Sequence, residues 1–134
     1  MEIINKKIDI ILPNYNSAKY IEQAIKSVIN QSYKFWKLII VDDFSNKETT
    51  KILRKYYKHK KIKIFWLKKN KGAGFCRNYA IKKSNSPYIA FIDSDDIWKK
   101  NKLKNQIEFM LRNKLKFVYS NYETFGLKNK KINC

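Results

Sequence analysis

The stretch Lys37-Leu38-Ile39-Ile40-Val41-Asp42-Asp43 decides the fold. Its core is an unbroken run of Leu, Ile and Val, with no polar residue in alternate positions. A half-exposed strand would alternate, so this one is covered on both faces. Strands of that kind belong to parallel sheets with helices packed on each side. The run then stops at two carboxylates, so the chemistry changes sharply where the strand ends.

Working outward, the same grammar repeats. Residues 8–12 form a β-branched run stopped by Pro13, which reads as another buried strand. Asn14 to Ser17 is a polar loop, and Ser17 or Asn16 is placed to cap the next helix. Ile21, Ala24, Ile25, Val28 and Ile29 then fall on one helical face. Downstream, residues 48–58 read as a helix carrying Ile52, Leu53, Tyr56 and Tyr57. Residues 62–67 read as the third strand, and 75–83 as a short helix that groups Cys76, Tyr79 and Ala80. Ser86-Pro87 breaks the chain. Residues 88–92 are the fourth strand, 102–113 a helix with Leu103, Ile107, Met110 and Leu111, and 117–119 a fifth strand. Strands that alternate with helices imply right-handed parallel crossovers. The expected fold is therefore a doubly wound α/β arrangement, a mainly parallel sheet with helices on both faces.

The chain has 134 residues, suited to one domain over 1–134, and 44% of them are apolar, enough for a core. Thirty Lys and Arg against eleven Asp and Glu give a formal charge of +19. Biased residue usage is the plainest cause, since Lys, Asn and Ile are all abundant. Attraction to an anionic membrane surface is a second reading. Nucleic acid ranks last, because Arg, the residue suited to bidentate phosphate and base contacts, occurs only at 54, 77 and 112. Cys76 and Cys134 make no Cys-x-x-Cys pattern, which argues against a zinc site or a disulfide framework. No apolar run is long enough to span a bilayer, and no signal segment follows the start. A cytoplasmic location is the expectation.

In open α/β sheets, ligands bind beyond the carboxyl ends of the strands. Here those ends carry Pro13-Asn14-Tyr15-Asn16, Asp42-Asp43 and Asp93-Ser94-Asp95-Asp96. Five of the eleven acids thus lie at two strand ends. Crowded carboxylates repel unless a cation sits among them. Mg²⁺ or Mn²⁺ prefers oxygen ligands and often shares them with substrate phosphates. Turn and cap chemistry is the competing explanation for any single Asp pair, and two clusters on one sheet edge weaken it. Arg77 follows Gly72-Ala73-Gly74 and is suited to a phosphate or a carboxylate. The glycines suggest positive φ or close backbone approach, but they form neither a P-loop nor a dinucleotide fingerprint. His59, the single histidine, sits among lysines and reads as a solvated surface residue.

Ile10-Ile11-Leu12-Pro13-Asn14-Tyr15-Asn16 resembles the opening of family 2 glycosyltransferases with the GT-A fold. Ser27-Val28-Ile29-Asn30-Gln31-Ser32-Tyr33 and Leu38 to Ser45 are similar to the segments that follow it. Gly72-Ala73-Gly74 with Arg77-Asn78 looks like that family's Gly…Arg-Asn segment, and Asp93-Ser94-Asp95-Asp96 like its Asp-x-Asp metal site. The resemblance implies that Pro13 and Tyr15 line a nucleotide pocket. It places Asp43 against the base, with Asp42 nearby, and Arg77 near the diphosphate. Asp93, Asp95 and Asp96 would hold Mn²⁺ or Mg²⁺, with Asp93 also near the donor. It further implies a nucleotide-diphosphate sugar as donor, UDP-sugar favoured, and inverting transfer to a surface-glycan or lipid-linked acceptor. A basic chain of this kind would meet such an acceptor at the inner membrane face.

Two departures stand out. Such catalytic domains continue well past the metal motif, so the chain reads as truncated on its C-terminal side, lacking the acceptor half and an identifiable general base. Phe44 also stands where the family often has Gly, which alters the loop after Asp43. Two alternatives follow: a catalytically inactive nucleotide-binding remnant, or a basic nucleic-acid-binding α/β module.

Overall fold

The structure is a computed structural model and describes residues 5–124 and 130–132. Its elements run β1 (Ile8–Asn14), α1 (Ile21–Ile29), β2 (Trp36–Asp42), α2 (Lys47–Arg54), β3 (Ile62–Trp66), α3 (Ala73–Lys83), β4 (Tyr88–Phe91), α4 (Lys102–Asn113), β5 (Tyr122–Thr124) and β6 (Lys130–Ile132). The first four strands form one parallel sheet in the order β3-β2-β1-β4. β5 and β6 pair antiparallel in a separate two-stranded ribbon.

Strand alternation assigns residues to two cores. Ile8, Ile10, Leu12, Leu38, Ile40 and Ile62 point to one face, where they meet Ile21, Ala24, Ile25 and Val28 of α1, Leu53 of α2, and Leu103 and Ile107 of α4. Ile11, Ile39 and Val41 point to the other face, where Cys76 and Ala80 of α3 cover them. Each of these side chains is at least nine-tenths buried. Full burial of each isoleucine, leucine or valine among them is worth roughly 1.5–3 kcal/mol. The chain winds outward from β1 through β2 to β3 with its helices on the first face. It then returns across the second face through α3 to place β4 on the far side of β1. That reversal leaves a crevice at the carboxyl ends of β1 and β4, where ligands of open α/β sheets bind.

Several boundaries differ from the sequence expectations. β1 continues through Pro13 to Asn14 and does not stop at the proline. β4 pairing ends at Ile11, so the ring sits where no further ladder bond is required. α2 ends at Arg54, because Lys55 and Tyr56 turn back to the carbonyls three residues earlier, Ile52 and Leu53, at 3.1 and 3.0 Å. The expected strand at 117–119 is not formed: Phe117 and Tyr119 are exposed and pair with nothing in the sheet. His59 is no free surface residue either. It stacks on Trp36 with ring centroids 6.5 Å apart, and its Nδ1 accepts from the Lys61 N–H at 3.1 Å.

Candidate functional site

The loops after β1 and β2 are buckled together. Asn14 and Asp42 are register partners at the strand ends. Asn14 Nδ2 donates to Asp42 Oδ1 at 2.9 Å, and the Ser45 N–H donates to Asp42 Oδ2 at 3.0 Å. Asp42 is buried, with both oxygens engaged. The Ser17 hydroxyl bonds Asn14 Oδ1. The Asn16 N–H donates to Ser45 Oγ at 2.9 Å, and the Asn46 N–H donates to Asn16 Oδ1 at 2.7 Å. Neither Ser17 nor Asn16 caps α1 with its side chain. The Ser17 carbonyl instead accepts from Tyr20 and Ile21, so Ser17 serves the loop. Asn46 caps α2 by accepting from the Thr49 N–H at 3.0 Å.

Asp43 binds the opposite side of the crevice. Its carboxylate accepts from the Lys71 N–H at 2.6 Å and the Gly72 N–H at 2.8 Å. Gly72 has φ +93°, a conformation that an L side chain rarely adopts, so the glycine is required for this approach. Phe44, next to Asp43, also takes a positive φ of +63° while its ring is exposed. The backbone therefore keeps a left-handed turn here despite the bulky side chain. Beneath Asp43 lies the buried Cys76. Burial first, then the Asp43 and Asp42 carboxylates, push the Cys76 thiol up to about 12.

The third cluster follows β4. Carboxylate oxygens of Asp93, Asp95 and Asp96 all lie within 4.8 Å of one another, and all three residues are exposed. The Asp96 N–H closes a turn onto the Asp93 carbonyl at 3.0 Å. Partial desolvation, then the charges of Asp93 and Asp95, raise the Asp96 carboxyl above its ordinary range. Such crowding favours an added cation, and three carboxylates make an all-oxygen donor set suited to Mg²⁺ or Mn²⁺. Arg77 Nη2 lies 3.0 Å from Asp93 Oδ1 and ties α3 to this turn.

A cleft of about 440 Å³ joins these parts. Pro13, Asn14, Tyr15, Tyr20, Asp43, Arg77, Asp93 and Asp95 line it. Of the residues singled out from sequence, Asp42 and Asp96 stand outside that lining. Asp42 props the loops from below, and Asp96 completes the acidic turn. Sequence reasoning missed three contributors. Asn14 falls in the polar loop that the sequence predicts, yet it bridges two strands. Tyr20 adds an aromatic wall, 38% exposed. Gln31 is fully buried: its Nε2 donates to Lys99 O at 2.7 Å, and its Oε1 accepts from the Leu103 N–H at 3.1 Å. It thereby anchors the segment that leaves the acidic turn. A polar residue at the end of an otherwise apolar helical face was the available signal.

A family model described as Glycosyl transferase family 2 matches residues 9–133. Over 116 residues the chain is 42% identical to the putative teichuronic acid biosynthesis glycosyltransferase TuaG of Bacillus subtilis, covering 86% of this chain and 46% of that protein. Over 117 residues it is 43% identical to the UDP-Glc:alpha-D-GlcNAc-diphosphoundecaprenol beta-1,3-glucosyltransferase WfgD of Escherichia coli, covering 87% of this chain and 46% of that protein. Residues 1–349 of S. aureus TarS, solved in complex with UDP, superpose with a TM-score of 0.73 at 34% identity, covering 79% of this chain and 32% of that one. The chain spans just under half the length of the two named relatives.

Proposed function

The chain belongs to glycosyl transferase family 2, and on that premise we propose that its cleft binds a nucleotide-diphosphate sugar, a UDP-sugar by preference, for inverting transfer to a surface-glycan or lipid-linked acceptor. One observation carries the reading: the acidic turn and Arg77 face Asp43 across one cleft at the point where strand order reverses. The names of the relatives support it. WfgD is named for a UDP-Glc donor and a diphosphoundecaprenol-linked acceptor, and TarS was solved with UDP.

Each residue then has a task. Pro13 and Tyr15 wall the base. Asp43 accepts from a base N–H with the lone pairs that its loop bonds leave free. Asp42 holds that wall in place through Asn14 and Ser45. Arg77 exchanges its partner, Asp93, for the donor diphosphate, which offers more charge and more acceptor oxygens. Asp93, Asp95 and Asp96 would hold Mn²⁺ or Mg²⁺. That ion, when bound, supplies positive charge that stabilises a departing nucleoside diphosphate. The acceptor proton goes to a general base that we assign to none of the described residues. The proposed place of action is the cytoplasmic face of a membrane.

A thermal-shift panel tests this reading. UDP, GDP, CDP and their sugars are each added with and without Mn²⁺. A ligand that binds only the native state raises the melting temperature by mass action. A rise with UDP that needs Mn²⁺ and disappears in Asp95→Ala is the expected result. A cooperative melt unmoved by every nucleotide would overturn the reading.

A further inference from the structure

Between Glu48 and Asp93 the sequence has no acidic residue, yet it holds thirteen lysines and arginines. Seven of these, from Lys63 to Lys83 and including Lys82, fall on β3, on α3 and on the loop that joins them. β3 is an edge strand, α3 covers the adjoining sheet face, and the loop between them holds Lys68, Lys69 and Lys71. Rings and cations alternate along this margin. Lys63 and Lys83 lie over Phe65 at 5.2 and 5.6 Å, and Lys83 also lies over Tyr79 at 5.4 Å. Tyr79 packs on Phe65 at 5.5 Å and on Phe75 at 6.4 Å, and Lys71 lies over Phe75 at 5.5 Å. Phe75 is 45% exposed, although it lies on a helix whose opposite face is buried.

Lysines protect sheet edges from mispairing. That alone leaves the exposed Phe75 ring unexplained, since α3 is not an edge; Tyr79 and Phe65 are partly buried against the second core and present the remainder of their rings beside it. Aromatic rings interleaved with lysines suit a different surface. Rings settle at the headgroup level of a bilayer, and lysine stems lie along them while the ammonium groups reach anionic phosphates. Nucleic acid would draw on arginine, and this margin offers only Arg54 and Arg77, the latter already paired with Asp93.

We propose that the β3–α3 margin, centred on Lys63, Phe65, Phe75, Tyr79 and Lys83, is a docking surface for an anionic lipid bilayer. The proposal rests on the lipid-linked-acceptor reading above and says which face meets the membrane. The connecting loop runs from this margin into the cleft, because the Lys71 and Gly72 N–H groups hold Asp43. A bilayer seated on the margin therefore lies beside the cleft mouth, where a lipid-borne acceptor would present its headgroup.

Co-sedimentation of the whole chain tests this, with vesicles of phosphatidylcholine alone or with one-third phosphatidylglycerol, at low and high salt. Binding should need phosphatidylglycerol and weaken with salt. A lysine near an anionic surface contributes about fivefold, so K63Q/K82Q/K83Q should lose roughly a hundredfold. K100Q/K104Q/K116Q removes the same charge elsewhere and should lose far less. Equal loss in the two triples would overturn the proposal in favour of net charge alone. So would the absence of vesicle binding, or tighter binding to a single-stranded RNA oligomer than to vesicles. The UDP thermal shift of each triple separates the two readings: an intact shift without vesicle binding sinks only the membrane surface, and binding without a shift sinks only the donor site.

Discussion

Arg77 and Asp93 form an ion pair at 3.0 Å, with side chains 38% and 56% exposed. A pair this open contributes little to folding, because water screens it and ordering two side chains costs entropy. Arg77→Ala should therefore lower stability by under about 1 kcal/mol. If Arg77 has the role proposed above, the same change should weaken UDP binding at least about tenfold, since charge-assisted bonds to the diphosphate would be lost. Chemical denaturation and calorimetric titration give the two numbers. A large stability loss with unchanged affinity would mark Arg77 as scaffold.

Asp42 and Asp95 should separate in the opposite sense. Asp42→Ala strips partners from the buried Asn14 amide and the Ser45 N–H, and should cost about 3 kcal/mol. Asp95→Ala removes an exposed, crowded carboxylate and should leave the melting temperature of the metal-free protein unchanged or slightly higher. Scanning calorimetry without metal compares them directly, and equal losses would contradict the division between a structural Asp42 and the proposed metal ligand Asp95.

The Tyr56 hydroxyl donates to Glu22 Oε2 at 3.1 Å, which sets a pH window. The Tyr56 bond first, then Lys26 and Lys55, hold Glu22 below its ordinary 4.5. A depressed carboxyl adds stability above its unfolded value and loses it as pH falls through the folded one. Burial first, then Glu22, push the Tyr56 hydroxyl up from 10.0 to about 12. A raised phenol adds stability below its unfolded value and loses it as pH climbs from there through the folded one. Tyr56→Phe should thus cost about 1 kcal/mol between about pH 5 and about pH 9, and less at either extreme. Melts of both proteins across pH show this, and a constant difference would refute the coupling.

Phe44 holds φ +63° with its ring in solvent. The left-handed region costs a side-chain-bearing residue about 1–2 kcal/mol. Part of that is returned as unfolded-chain entropy when glycine replaces it. Phe44→Gly should raise stability by up to about 1 kcal/mol and leave UDP affinity intact. A fall in stability would show that the exposed ring makes contacts worth more than the strain.

The sequence carried local information well and pairing information poorly. α4 matches its expected residues, 102–113, because Leu103 and Ile107 set a helical period and Lys114 ends it in a left-handed turn. The strands were visible as apolar runs. The expected strand at 117–119 is not formed, because the strand preference of Phe and Tyr is realised only beside a partner, and none adjoins it among the described residues. In the site, the resemblance sets Asp43 against the base and leaves Asp42 merely nearby, without a task of its own. What divides them is non-local: Asn14 faces Asp42 across the β1–β2 register, and the Gly72 loop folds over Asp43. Gln31 stands out as a polar residue, but its partners are non-local in the same way, since they lie at Lys99 and Leu103.

The thiol beneath Asp43 has a use as a clock. Only a thiolate reacts readily with disulfide or alkylating reagents, and Cys76 is both shut away and pushed up to about 12. At mild pH, modification of Cys76 waits for its helix to lift from the sheet. Resolved from Cys134 by peptide mass, the modification rate counts those liftings. Any compound that seals the cleft slows the count, so a single native atom reports both breathing and occupancy without an added label.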